Sequence, residues 1–190
     1  MFSCSIELSL YYCCLYQQTE LGLAAGEGFV REDNPRFHCM ATNIFHDWTF
    51  DQHINKIEQM RDKVILRYGF MDIVRTIYLD MDEHPTGIEP SRAGHSIGRW
   101  EGQTLVVDTI GFEEGYLSAT FSGVKHSDQM QVVELFSLSE DGSSLIQEYR
   151  ITDALYLSAP YEGRSTINRT DAVFDEYGCE DLTEEVVEGF

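Results

Sequence analysis

The sequence predicts a mainly-β fold, an antiparallel up-and-down β-barrel of lipocalin-like type with an N-terminal helical segment. Three observations carry this. From about residue 53 the chain breaks into short runs rich in β-branched and aromatic residues, which favour a pleated, half-buried surface. Gly-bearing turns separate several of them, at Gly69-Phe70-Met71-Asp72, Glu101-Gly102-Gln103 and Glu140-Asp141-Gly142-Ser143, as hairpins require. Little helical pattern lies between the runs and no long repeat is visible, which excludes βαβ units, propellers and solenoids. About eight strands of this kind suit a closed barrel whose interior is filled by side chains or holds one small ligand.

In chain order, residues 1–32 form a helical or irregular segment packed on the barrel. Ile6 to Leu15 reads as helix; Thr19 or Glu20 opens a short one through Ala25, which Gly26 and Gly28 stop. Asp33-Asn34-Pro35 is a turn. The barrel domain occupies 33–180, with strands at Ile54–Gln59, Lys63–Tyr68, Ile73–Leu79, Ser96–Trp100, Thr104–Ile110, Gln129–Leu138, Leu145–Thr152 and between Tyr161 and Thr170. Residues 181–190 end the chain as an acidic tail, a solvated block or an interaction tail.

The 190 residues carry 33 acids against 13 Lys and Arg, a net charge of −20 that repels nucleic acid and anionic membrane surfaces. Hydrophobic residues make up 43%, too many for global disorder, and the length fits one domain with a real core. No apolar run reaches the length of a membrane span. Ile6 to Leu15 has a signal-peptide-like core but no positive region before it, the first basic residue being Arg31. The cysteines, Cys4, Cys13, Cys14, Cys39 and Cys179, match no zinc spacing. Cys39 and Cys179 stand at opposite ends of the folded body, either as one bridge or as two buried thiols.

Period-two alternation points to the chemistry. Read as one strand, residues 126–138 place His126, Asp128, Met130, Val132, Glu134, Phe136 and Leu138 on the more apolar face. A carboxylate there needs a partner, from Arg75, Arg99 or Arg150, and is either a structural ion pair or a polar anchor in a ligand cavity. Asp108, inside Leu-Val-Val-Asp-Thr-Ile, also needs one. A hairpin through Glu101–Gln103 brings His95 and Ser96 near it, and an imidazole held by a carboxylate has the basicity of a general base. Gly94-His95-Ser96-Ile97-Gly98 has the letters of a nucleophile elbow, but no helix follows it. His95 and His126 with one carboxylate are a metal option that no spacing demands, and no metal or other cofactor is expected. His84, beside Pro85, reads as solvated; Tyr78, Trp100, Phe112 and Tyr116 read as core or pocket lining.

The run Gly94-His95-Ser96-Ile97-Gly98-Arg99-Trp100-Glu101-Gly102-Gln103-Thr104-Leu105-Val106-Val107-Asp108-Thr109-Ile110-Gly111-Phe112 resembles the signature of a large family of uncharacterised, mostly exported bacterial proteins. Val74–Asp80, His84-Pro85, Asp33–Cys39, His126-Ser127 with Val132-Val133-Glu134, and Ile151-Thr152-Asp153 are similar to it too, so the resemblance spans about 20–179. Gln103 stands where the family pattern has Asp, a departure confined to a turn. The resemblance implies export, and with export a Cys39–Cys179 bridge; it implies no activity.

The expected function is acid–base chemistry on a small apolar molecule, of isomerase, cyclase, hydratase or lyase type and without a cofactor. His95 is the base or acid oriented by Asp108, and His126 with Glu134 is a second proton-handling pair. Arg75, Tyr78, Arg99, Trp100, Met130 and Phe136 are the expected substrate contacts. Two alternatives stand beside it: a non-catalytic carrier or sensor of a small hydrophobic ligand, and an interaction module using the acidic tail. A homodimer is left open.

Overall fold

The computed structural model describes residues 16–50, 53–119 and 123–179. The helix expected over Ile6–Leu15, the cysteines at 4, 13 and 14, and the tail at 181–190 lie outside the described residues. A short helix, α1 (Glu20–Ala25), is followed by ten strands. These are β1 (Lys56–Gln59), β2 (Lys63–Arg67), β3 (Val74–Tyr78), β4 (His95–Glu101), β5 (Thr104–Ile110), β6 (Gly115–Ser118), β7 (Val124–His126), β8 (Gln131–Leu138), β9 (Ser144–Thr152) and β10 (Tyr161–Asn168). Thr19 caps α1 by accepting from the Gly22 backbone N–H, and the chain leaves the helix at Gly26.

One eight-stranded sheet runs β1-β2-β3-β4-β5-β8-β9-β10, and β6 and β7 pair separately. The sheet is mostly antiparallel and curled, and it is open: no ladder joins β1 to β10 among the described residues. It also departs from a strict up-and-down order. β3 and β4 are parallel, Ile77 opposite Ser96 and Tyr78 opposite Ile97, so residues 79–94 must carry the chain back along the sheet. That connection is anchored where Ser91 bridges Phe112 beyond the end of β5.

The run 126–138 is two strands, not one. Asp153 accepts from the backbone and hydroxyl of Ser127 and breaks the extended chain there. Asp128 is consequently exposed, while Met130, Val132, Glu134 and Phe136 point inward as the alternation requires. Inward residues of the other strands, among them Val64, Leu66, Ile77, Leu105, Val107 and Ile151, complete the core.

The concave side is filled rather than hollow. Ile44, Phe45 and Trp48, from the segment before β1, are buried against the sheet. Phe45 stacks on Tyr149 with ring centroids 5.1 Å apart, and Trp48 meets Tyr68 edge-on at 4.8 Å. The Tyr68 hydroxyl donates to the Ile44 carbonyl at 2.8 Å. Cys39 and Cys179 form a disulfide that closes a sequence separation of 140 residues. Nearby, the Asp72 carboxylate accepts from the Tyr177 backbone N–H at 2.7 Å. Among the described residues no helix is long and apolar enough to cross a membrane.

Candidate functional site

The residues expected to share one site fall into three separate places. In the core, Arg75 donates through both terminal nitrogens to Glu134, with Nη1 to Oε1 at 3.0 Å. Its remaining donors reach Ser96 Oγ at 2.9 Å and Thr109 Oγ1 at 2.7 Å. Gln147 donates to Glu134 Oε1 at 2.8 Å and accepts from Ser165. Both charges are fully buried, and every oxygen of Glu134 has a partner. The pair is therefore a closed structural network, the arrangement a buried charge needs. Arg75 is the partner of Glu134; Arg99 and Arg150 lie outside, paired with Glu101 and Glu162. Ser96 is engaged here in a strand, so the Gly94–Gly98 run forms no nucleophile elbow.

His126 does not join Glu134. It lies in β7, its ring buried edge-on to Phe112, with Nδ1 3.2 Å from the Ser127 carbonyl oxygen. It lines a cavity of about 80 Å³ with Thr42, Arg92 and Glu113. Desolvation holds its pKa below the ordinary imidazole value. The expected pair is thus split, because the turn at Ser127 interrupts the register that linked the two residues. Met130 and Phe136 are core side chains, and Trp100 is half-exposed near the end of β4.

The third place is the convex face over β3, β4 and β5. Asp108 sits opposite Ile97, and His95 opposite Ile110, so both point to the same side two positions apart. They do not meet directly: His84, from the β3–β4 connection, stands between them. Its Nδ1 lies 2.9 Å from His95 Nδ1, and its Nε2 lies 3.6 Å from Asp108 Oδ2, an ion-pair separation beyond hydrogen-bond length. Asp108 Oδ1 accepts from Gln131 at 2.8 Å, and the Tyr78 ring stacks on His95 at 5.2 Å.

The hydrogen between the two Nδ1 atoms can come from either ring. With both rings neutral, the tautomer that turns an Nε2–H of His84 toward the Asp108 carboxylate leaves His95 donating from Nδ1 with a lone pair on Nε2. Partial desolvation, then the neighbouring His84, hold the His95 pKa below its ordinary value.

Sequence reasoning missed His84. The signal was the connection between Leu79 and His95, too long for a hairpin and long enough to return over neighbouring strands. Gln131 and Gln147 carried no signal beyond their place in the alternation.

Two cavities lie away from His84 and His95. One of about 700 Å³ opens at the seam between β1, the β8–β9 turn, the end of β10 and residues 169–174. Another of about 630 Å³ is a shallow depression over β8, β9 and β10. Among the described residues no three of His, Cys, Asp and Glu converge as metal ligands would. No protein-family model, no curated protein and no solved structure matches the chain.

Proposed function

We propose that the protein is a small-molecule enzyme of lipocalin-like architecture doing cofactor-independent acid–base chemistry, with His95 as the proton-transferring group. The observation that carries this is the His84–His95 contact at 2.9 Å with Asp108 behind it. A substrate against the Tyr78 side of β4 would give a proton to His95 Nε2. The imidazolium so formed keeps its Nδ1–H on His84, whose own Nε2–H points to the Asp108 carboxylate. The carboxylate thus stabilises the new charge through one intervening ring, and return of the proton to a second substrate atom completes an isomerisation. Arg75 and Glu134 act in this reading only by fixing the strands beneath.

The test follows deuterium. The protein is incubated in D₂O with a panel of small apolar ketones and enones, and exchange is read by mass spectrometry. Catalysed incorporation is expected, falling about 10²–10⁴-fold in His95→Gln, the usual worth of a positioned base. His84→Gln should fall less and shift the pH profile. Equal incorporation in both variants and the wild type, or none in the wild type, overturns the reading.

A carrier without chemistry is the second reading, favoured by one observation: the seam cavity contains none of His84, His95, Asp108 or Tyr78. The Cys39–Cys179 bridge supports an exported, oxidising setting, in keeping with the family resemblance.

A further inference from the structure

The seam cavity has a composition at odds with the rest of the molecule. The chain carries a net charge of −20, yet no Asp or Glu lines this space. Its charged lining is Lys56 and Arg169. Lys56 is shared with Glu58 at 3.1 Å, whereas Arg169 is exposed and makes no ion pair among the described residues. The rest of the wall is largely apolar, with Ile54, Leu145, Ile167 and Phe174 prominent.

Trp48 forms part of the same wall and is 2% exposed, so its indole reports on what enters the space. A volume of about 700 Å³ is in the range of small-ligand sites.

We propose that the seam is a binding site for an apolar carboxylic acid. The carboxylate lies at Arg169 and Lys56, and the hydrocarbon lies along Ile54, Leu145, Ile167 and Phe174. This site goes beyond the acid–base reading and does not depend on it, since it shares no residue with the histidine pair.

The chain has two tryptophans, and Trp100→Phe at the exposed end of β4 leaves Trp48 as the sole indole reporter. This variant is titrated by fluorescence with 12-hydroxydodecanoate, dodecane-1,12-diol and 12-aminododecan-1-ol, all below micellar concentrations. The expected result is a saturable change in Trp48 emission with 12-hydroxydodecanoate, at an affinity tenfold or more above the diol and the amino alcohol. Adding Arg169→Ala, a change at an exposed position, should remove most of that advantage, and Arg169→Lys should restore part of it. No saturable change, equal affinity for the three head groups, or no effect of Arg169→Ala each overturn the proposal. Deuterium exchange at His95 is a separate readout, so either idea can fail alone.

Discussion

Glu134 and His46 show what burial does to single charged or chargeable groups in this protein. Glu134 sits among apolar side chains because the strand alternation puts it there, and its inward direction is legible in the sequence. Its partner is not, since Arg75, Arg99 and Arg150 are equally eligible candidates until the topology is known. Removing the carboxylate strands the Arg75 guanidinium in the core. Glu134→Leu is expected to destabilise by about 3–5 kcal/mol in urea unfolding, while the double variant Arg75→Met/Glu134→Leu recovers much of it. His46 is half-buried beside Tyr16, its Nε2 3.3 Å from the phenol oxygen. Desolvation, then the charge of Arg36, lower its pKa from 6.5 to about 4. Arg36 is itself paired with Asp47 at 2.7 Å. As pH falls, the unfolded chain takes up this proton near 6.5 and the folded one only near 4, so the unfolded state binds more protons in between. This group's contribution leaves stability unimpaired above pH 6.5 and lowers it by about 3 kcal/mol by pH 4. Chemical denaturation across that range should show the loss, and His46→Gln should flatten it.

Among the elements, the strands were the most readable and the turn at 127–130 the least. β5 falls where its apolar run predicts, at Thr104–Ile110, and most of the other expected strands differ only at their ends. β6 and β7 have no alternation long enough to reveal them, and they are held as a pair with a register shift between Tyr116 and Ser118. Close approaches explain several glycines that propensity alone would disfavour. Gly163 lies opposite Tyr149 across β9 and β10, and the tyrosine ring covers it so closely that a Cβ would fall 2.3 Å from the ring. Gly163→Ala must displace that ring from its stack on Phe45, a rearrangement costing about 1–3 kcal/mol. A lower thermal midpoint together with altered near-ultraviolet dichroism would report it. Gly22 plays the same part for α1, where the Tyr156 carbonyl oxygen lies 2.3 Å from the position of an added Cβ.

For the molecule as a whole, local pattern indicated a mainly-β body but neither the parallel join of β3 to β4 nor the open seam. Both depend on which strands meet across long stretches of chain, which periodicity does not encode. The same limit hid His84, whose role comes from where its loop lands. The Cys39–Cys179 bridge ties the segment after β10 to the loop before β1, across a separation of 140 residues. Loop-closure entropy for a span of that length is worth about 5 kcal/mol. Cys39→Ser, or a reductant, is therefore expected to lower the denaturation midpoint while leaving the β-sheet dichroism at low denaturant unchanged. The β3–β4 connection has a different consequence. Its ends are fixed by the sheet, but the stretch carrying His84 contributes no strand to it. On the proposed acid–base reading, insertions or exchanges there would retune or silence proton transfer while the scaffold folds as before, so this is where diversification of chemistry could proceed with the least damage to foldability.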